Sequence, residues 1–155
     1  MLELLIVLAI LAVALGMVIP TLHGFGEGRS IEHTADQLVA LARWARTQAV
    51  TQGVAYRLNL DVSNRTYGVT VEQNGGVQPV GEEWGRVFQI PPGVNVTWNA
   101  PQQPDGQYVR IDPTGRTDPV VIQLSDTKGD LKQLACYTPA EQLHVLSAQE
   151  IQTGP

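Results

Sequence analysis

The chain is 155 residues long, sets 10 basic against 15 acidic side chains for a net charge of −5, and contains one cysteine. Once an apolar N-terminal segment is set aside, about 130 residues remain, enough for one domain with one modest core. The acidic balance argues against a protein whose main task is binding phosphate, and the single Cys136 allows neither an internal disulfide nor a cysteine metal cluster.

The first predicted element is an apolar helix. Leu4, Leu5, Ile6, Val7, Leu8, Ile10, Leu11, Val13, Leu15, Val18 and Ile19 belong to a run broken only by small residues and Met17. It is slightly short of the ~20 residues of a perpendicular membrane span, and Leu2, Thr21 and Leu22 lengthen it. Glu3 stands directly before the run. A carboxylate is expensive in hydrocarbon, so it needs a partner or a place at the membrane edge. A secretory signal peptide would need a basic leader, whereas the first basic residue is Arg29.

Pro20 closes the run, and Gly24, Gly26 and Gly28 follow around Phe25. Each glycine costs a helix roughly 1 kcal/mol, so a break or weakening is expected here. Residues 1–28 therefore read as an anchor helix plus linker, and residues 29–155 as the head. Ser30 is a suitable N-cap for a second helix over residues 30–52. Ile31, Ala35, Leu38, Ala42, Ala45 and Ala49 recur at spacings of four and three, giving one apolar stripe. Gly53 is placed to end that helix. A stripe made mostly of alanine implies close packing, and a β-sheet is the expected partner.

Residues 54–155 read as strands and turns. Val54, Tyr56, Leu58 and Leu60 alternate with Ala55, Arg57, Asn59 and Asp61, the pattern of a half-buried strand. Turn chemistry at 61–65 leads to Tyr67, Val69 and Val71 in a hairpin partner closed by Asn74-Gly75-Gly76. Further short strands are expected at 85–90, 94–98, 108–112, 120–125, 131–137 and 144–147, most of them set apart by proline and glycine. The fold class is α+β: a long N-terminal helix packed on an antiparallel sheet or sandwich.

The segment Met1-Leu-Glu-Leu-Leu-Ile-Val-Leu-Ala-Ile10 resembles the start of a mature type IV pilin or type II secretion pseudopilin. In that family Gly-Phe-Thr-Leu-x-Glu-Leu-x-x-Val-x-Ala-Ile follows the prepilin cleavage site. Glu3 falls on the family's glutamate and Pro20 on its mid-helix proline. Leu41-Ala-Arg43-Trp-Ala-Arg46-Thr-Gln-Ala49, then Gly53-Val and a Tyr-Arg-Leu-Asn-Leu strand, look like the H-type minor pseudopilins and their FimT-like relatives. Ile111-Asp-Pro-Thr-Gly115-Arg116, followed by Pro119-Val-Val-Ile-Gln-Leu124, looks like a second segment of the same group.

The resemblance implies a structural subunit of a type II secretion pseudopilus, at its tip or between tip and shaft, in protein export across the outer membrane. It implies a single-pass inner-membrane anchor and a periplasmic head. The implied partners are other major and minor pseudopilins, with prepilin peptidase acting on the full-length precursor. Glu3 would pair with the N-terminal amine of a neighbouring subunit, and the 20–28 segment would be either a plain linker or a stretch that unwinds as subunits pack. In this register Met1 occupies the third mature position, so the chain as written is expected to be neither cleaved nor N-methylated. The alternative is a FimT-like minor type IV pilin acting in pilus assembly or DNA uptake. Relatives that bind DNA carry Gly-Arg-x-Arg near the C-terminus, whereas Gly115-Arg116 continues with Thr117-Asp118, and residues 147–155 hold no basic side chain. No nucleic-acid partner is expected.

No catalytic residue, cofactor or metal site is assigned. His23, His33 and His144 are far apart and form no ligand spacing. Asp126-Thr-Lys128-Gly-Asp130 superficially resembles a calcium loop, yet lacks the ligand alternation and closing glutamate of an EF-hand and reads more simply as a hairpin turn. Ser, His and Asp are all present, but no Gly-x-Ser-x-Gly elbow places a nucleophile. Cys136, in the pattern Leu131–Leu134–Cys136, reads as a small buried hydrophobe.

Overall fold

A computed structural model describes residues 30–81, 83–104, 106–147 and 150–151. The expectations for Glu3, the 4–19 run, Pro20, Gly24, Gly26 and Gly28 fall outside these residues. Helix α1 occupies residues 30–52, about 34 Å of axis. Ser30, expected as the N-cap, is itself helical. Gly53 ends the helix as its sequence position predicts: its φ is +68° and its N–H donates to the Ala49 carbonyl at 3.0 Å. The buried face contains the expected stripe and is wider, because Thr34 and Leu41 are also 1% exposed. Thr34 can be buried cheaply, since its hydroxyl donates to the Ser30 carbonyl at 2.7 Å.

Two antiparallel sheets meet this face. The first contains β1 (Tyr56–Asp61), β2 (Thr66–Gln73), β3 (Gly76–Pro79), β4 (Phe88–Gln89) and β8 (Val109–Ile111), in the order β3-β2-β1-β8, with β4 also on β2. The second contains β5 (Asn95–Asn99), β9 (Val120–Ser125), β10 (Leu131–Cys136) and β11 (His144–Val145), in the order β11-β10-β9-β5. A small hairpin, β6 (Gln102–Gln103) and β7 (Gly106–Gln107), stands apart. Alternation works as predicted: Tyr56, Leu58, Leu60, Tyr67, Val69 and Val71 are buried in the first sheet, and Val120, Ile122 and Leu124 in the second. With the helix stripe they form one hydrophobic cluster, which also takes in Cys136.

The structure departs from the expected strand list at three places. Asn74-Gly75 turns the chain into an additional strand, β3, whose residues are all exposed and so carry no alternation. The expected strand at 85–90 shrinks to Phe88–Gln89, preceded by a 3-10 turn at Glu83–Gly85. The region around Pro101 to Gly106, read as a separator, contains the β6–β7 hairpin.

β2 offers one edge to two partners. β3 pairs with it from Thr70 to Gln73, and β4 from Thr66 to Tyr67. Between these pairings the 80–87 segment leaves the sheet. It folds back so tightly that a Cβ on Gly85 would stand 1.9 Å from the Val80 carbonyl oxygen. This fold-back carries Trp84 to helix α1.

Candidate functional site

The two internal segments singled out in the sequence meet at the end of α1. Asp112 organises the 112–116 turn: its Oδ1 accepts from the Thr114 N–H at 2.8 Å, the Thr114 hydroxyl at 2.6 Å and the Arg116 N–H at 3.1 Å. The Thr114 hydroxyl is the leading cause holding the Asp112 carboxyl below its usual range. The turn lays Gly115 on the helix, at φ +80°, where a Cβ would stand 3.1 Å from Val50 Cγ2 and 3.4 Å from Arg46 Nε. Arg46 also reaches the next loop, donating from Nη1 to the Glu141 carbonyl at 2.9 Å and from Nη2 to Ala140 at 3.1 Å. Glu141 closes that loop by accepting from the Tyr137 N–H at 2.8 Å and the Thr138 N–H at 3.3 Å. One arginine thus joins helix, turn and loop, which gives the Ala-Arg-x-x-Ala and Pro-x-Gly-Arg segments a structural role.

The outward side of the first sheet carries a charged cluster. Glu72 pairs with Arg57 Nε at 2.5 Å and with Arg110 Nε at 3.3 Å, while the Arg57 guanidinium lies 4.1 Å from the Tyr108 ring centroid. Arg65 donates to the carbonyls of Pro91 at 2.6 Å and Val94 at 2.9 Å, and Lys132 stands 3.6 Å from Glu32. Arg46, Arg57, Arg65, Arg110 and Lys132 are therefore engaged within the head.

A third feature was not singled out in the sequence. Trp44 meets Tyr56 edge-on, with centroids 5.8 Å apart, and stacks on Trp84 at 6.2 Å with planes 14° apart. Beside this pair an open, mostly apolar groove of about 350 Å³ runs between α1 and the 84–88 segment. Two of its lining residues are held by Tyr67, which donates to Gln37 Oε1 at 2.5 Å and stacks on Phe88. Burial pushes the Tyr67 hydroxyl up to about 12. The sequence signal was present in the two tryptophans, but their meeting depends on the fold-back at Gly85.

Among the described residues no group of His, Cys, Asp and Glu could hold a metal ion. His33 is exposed at the start of α1. His144 lies 3.7 Å from Glu141 and 3.8 Å from Glu150. Residues 126–130 form the β9–β10 turn, with Asp126 Oδ1 accepting from the Lys128 N–H at 2.8 Å and the Asp130 N–H at 2.9 Å. Cys136 is fully buried, and its thiol donates to the Thr138 carbonyl at 3.3 Å. Among the described residues no helix is long and apolar enough to cross a membrane.

A long helix whose small-residue face packs on two antiparallel sheets defines a pilin-type head. The chain belongs to the family described as type II transport protein GspH, which its residues 34–139 match. The fold is shared with the minor pseudopilin EpsH of the Vibrio cholerae type 2 secretion system: TM-score 0.65, 11% identity, 76% of this chain and 97% of that one. The Pseudomonas aeruginosa type IV minor pilin FimU gives 0.57 at 13% identity, covering 81% and 94%. The solution structure of Escherichia coli GspH gives 0.54 at 14% identity, covering 79% and 91%. No curated protein sequence matches the chain.

Proposed function

We propose that the chain is a minor subunit of a type II secretion pseudopilus, at the tip or between tip and shaft, and serves protein export across the outer membrane. Residues 1–28 hold it in the inner membrane and place its head in the periplasm. Its partners are other major and minor pseudopilins, and prepilin peptidase processes the full-length precursor. The observation that carries this reading is the union, in one chain, of a GspH-type head and an apolar run headed by Glu3. Buried among neighbouring helices, Glu3 needs a cation, and the N-terminal amine of an adjacent subunit supplies one. An unpaired buried charge is strongly unfavourable, so the pair acts as a check on register.

The similarity to FimU supports a second reading, a FimT-like minor pilin of a type IV pilus acting in assembly or DNA uptake. DNA capture draws on exposed lysine and arginine. Here five basic side chains are already engaged by carboxylates or carbonyls of the head, which favours secretion. Glu3→Ala in the correctly processed protein is the test. It should leave the head folded and reduce co-purification with the other pseudopilins. Undiminished co-purification would sink the pairing role, and micromolar, salt-sensitive binding of double-stranded DNA by the wild-type chain would favour the second reading.

A further inference from the structure

We propose that the groove between α1 and the 84–88 segment is where a neighbouring pseudopilin docks. It takes one aliphatic or aromatic side chain of that subunit, flanked by an acidic residue facing Arg86 and a basic residue facing Asp36. The inference rests on reading the chain as an assembly subunit, and it specifies the surface and the chemistry of the partner.

Ala40 and Leu41 form the helix wall, and Trp84 and Phe88 the opposite one. Trp84 stays 41% exposed although it stacks on Trp44, which keeps an apolar surface open at the groove. The charges are divided between the walls. Asp36 stands on the helix side. Arg86 stands on the other, with its guanidinium 4.8 Å from the Phe88 ring centroid. Neither forms an ion pair with a described residue. A guest of complementary charge order is therefore fixed in direction as well as position.

The composition favours a protein guest over a small molecule. Tryptophan and arginine around an apolar centre are the residues that dominate protein–protein hot spots. A small-molecule site would instead converge several polar groups on its ligand. The groove is also held ready. The close approach of Gly85 to Val80 fixes the Trp84 backbone, which lowers the ordering cost on docking.

The test uses the full, processed chain, tagged and co-expressed with the other pseudopilins of its own system, then isolated in mild detergent. Trp84→Ala and Arg86→Glu should each reduce the retained partner about tenfold, while Val62→Ala, on a distant exposed turn, should not. A photo-crosslinking residue at His33, an exposed residue of the groove lining, in an otherwise unaltered chain should join it to one pseudopilin partner, so the result does not depend on how the variants fold. If the wild-type chain retains no pseudopilin, the assembly reading itself fails. If it retains them, the variants retain them equally and position 33 yields no crosslink, the docking site is overturned and the assembly reading stands. A crosslink only to a second copy of the chain, or displacement by a co-purified small molecule, would overturn the choice of partner.

Discussion

Gly115 and Cys136 are the residues whose environments make the sharpest demands. At Gly115 a left-handed backbone coincides with close approach to Val50 and Arg46, whereas Gly53 has a similar φ and nothing within 4 Å of an added Cβ. Gly53→Ala should cost about 1 kcal/mol for its backbone alone. Gly115→Ala should cost measurably more, because α1 and the 112–116 turn must separate to admit the methyl group. Urea denaturation of both variants checks the order, and equal losses would show that the turn does not press on the helix. At Cys136, burial first and the Glu141 charge second push the thiol from 9.0 up to about 11. A thiol pKa raised by folding favours the native state below about pH 9, and that contribution fades as pH rises through 11. At pH 8 the native thiol should react with a thiol reagent about 100-fold more slowly than the urea-unfolded chain. Equal rates would place the thiol in solvent.

At the scale of elements, the fold-back at 80–87 is the piece that shapes the surface. Gly85→Ala should displace Trp84 from Trp44 while leaving β1 and β2 intact. The near-UV dichroism of the stacked tryptophans should fall with little change in the far-UV signal, and an unaltered near-UV spectrum would contradict the contact. The strands were readable where burial imposed a period of two. β1, β2 and β9 bury alternate residues along most of their length, and their sequences show it, whereas β10 buries Leu134, Ala135 and Cys136 in succession. β3 buries none of its four residues, and the β6–β7 hairpin is polar and close to prolines, so neither carried a pattern. The stripe on α1 was legible for the same reason, although Thr34 and Leu41 were missed because a sheet covers a wider arc of helix than one row of alanines suggests. The groove was not legible: Trp44 and Trp84 lie 40 positions apart, and a backbone approach that only glycine allows brings them together.

The whole molecule combines a head whose described residues form one connected core with an N-terminal run too apolar to remain in water. The proposed function uses surfaces: the run against membrane or neighbouring helices, and the head against adjacent subunits. The sequence carried the family through Glu3, Pro20 and the two internal segments. The structure adds that those segments meet where Gly115 approaches Val50 and Arg46, and that Arg46 also donates to the Glu141 and Ala140 carbonyls of the next loop. The charged cluster around Glu72 uses arginines that a DNA-capturing head would present freely. The most direct test of the central claim is the amount of secreted protein reaching the medium when the gene is deleted and then restored. The account predicts that deletion leaves type II substrates in the periplasm and that the wild-type chain, but not Glu3→Ala, restores their release. Unchanged secretion accompanied by lost DNA uptake would contradict it.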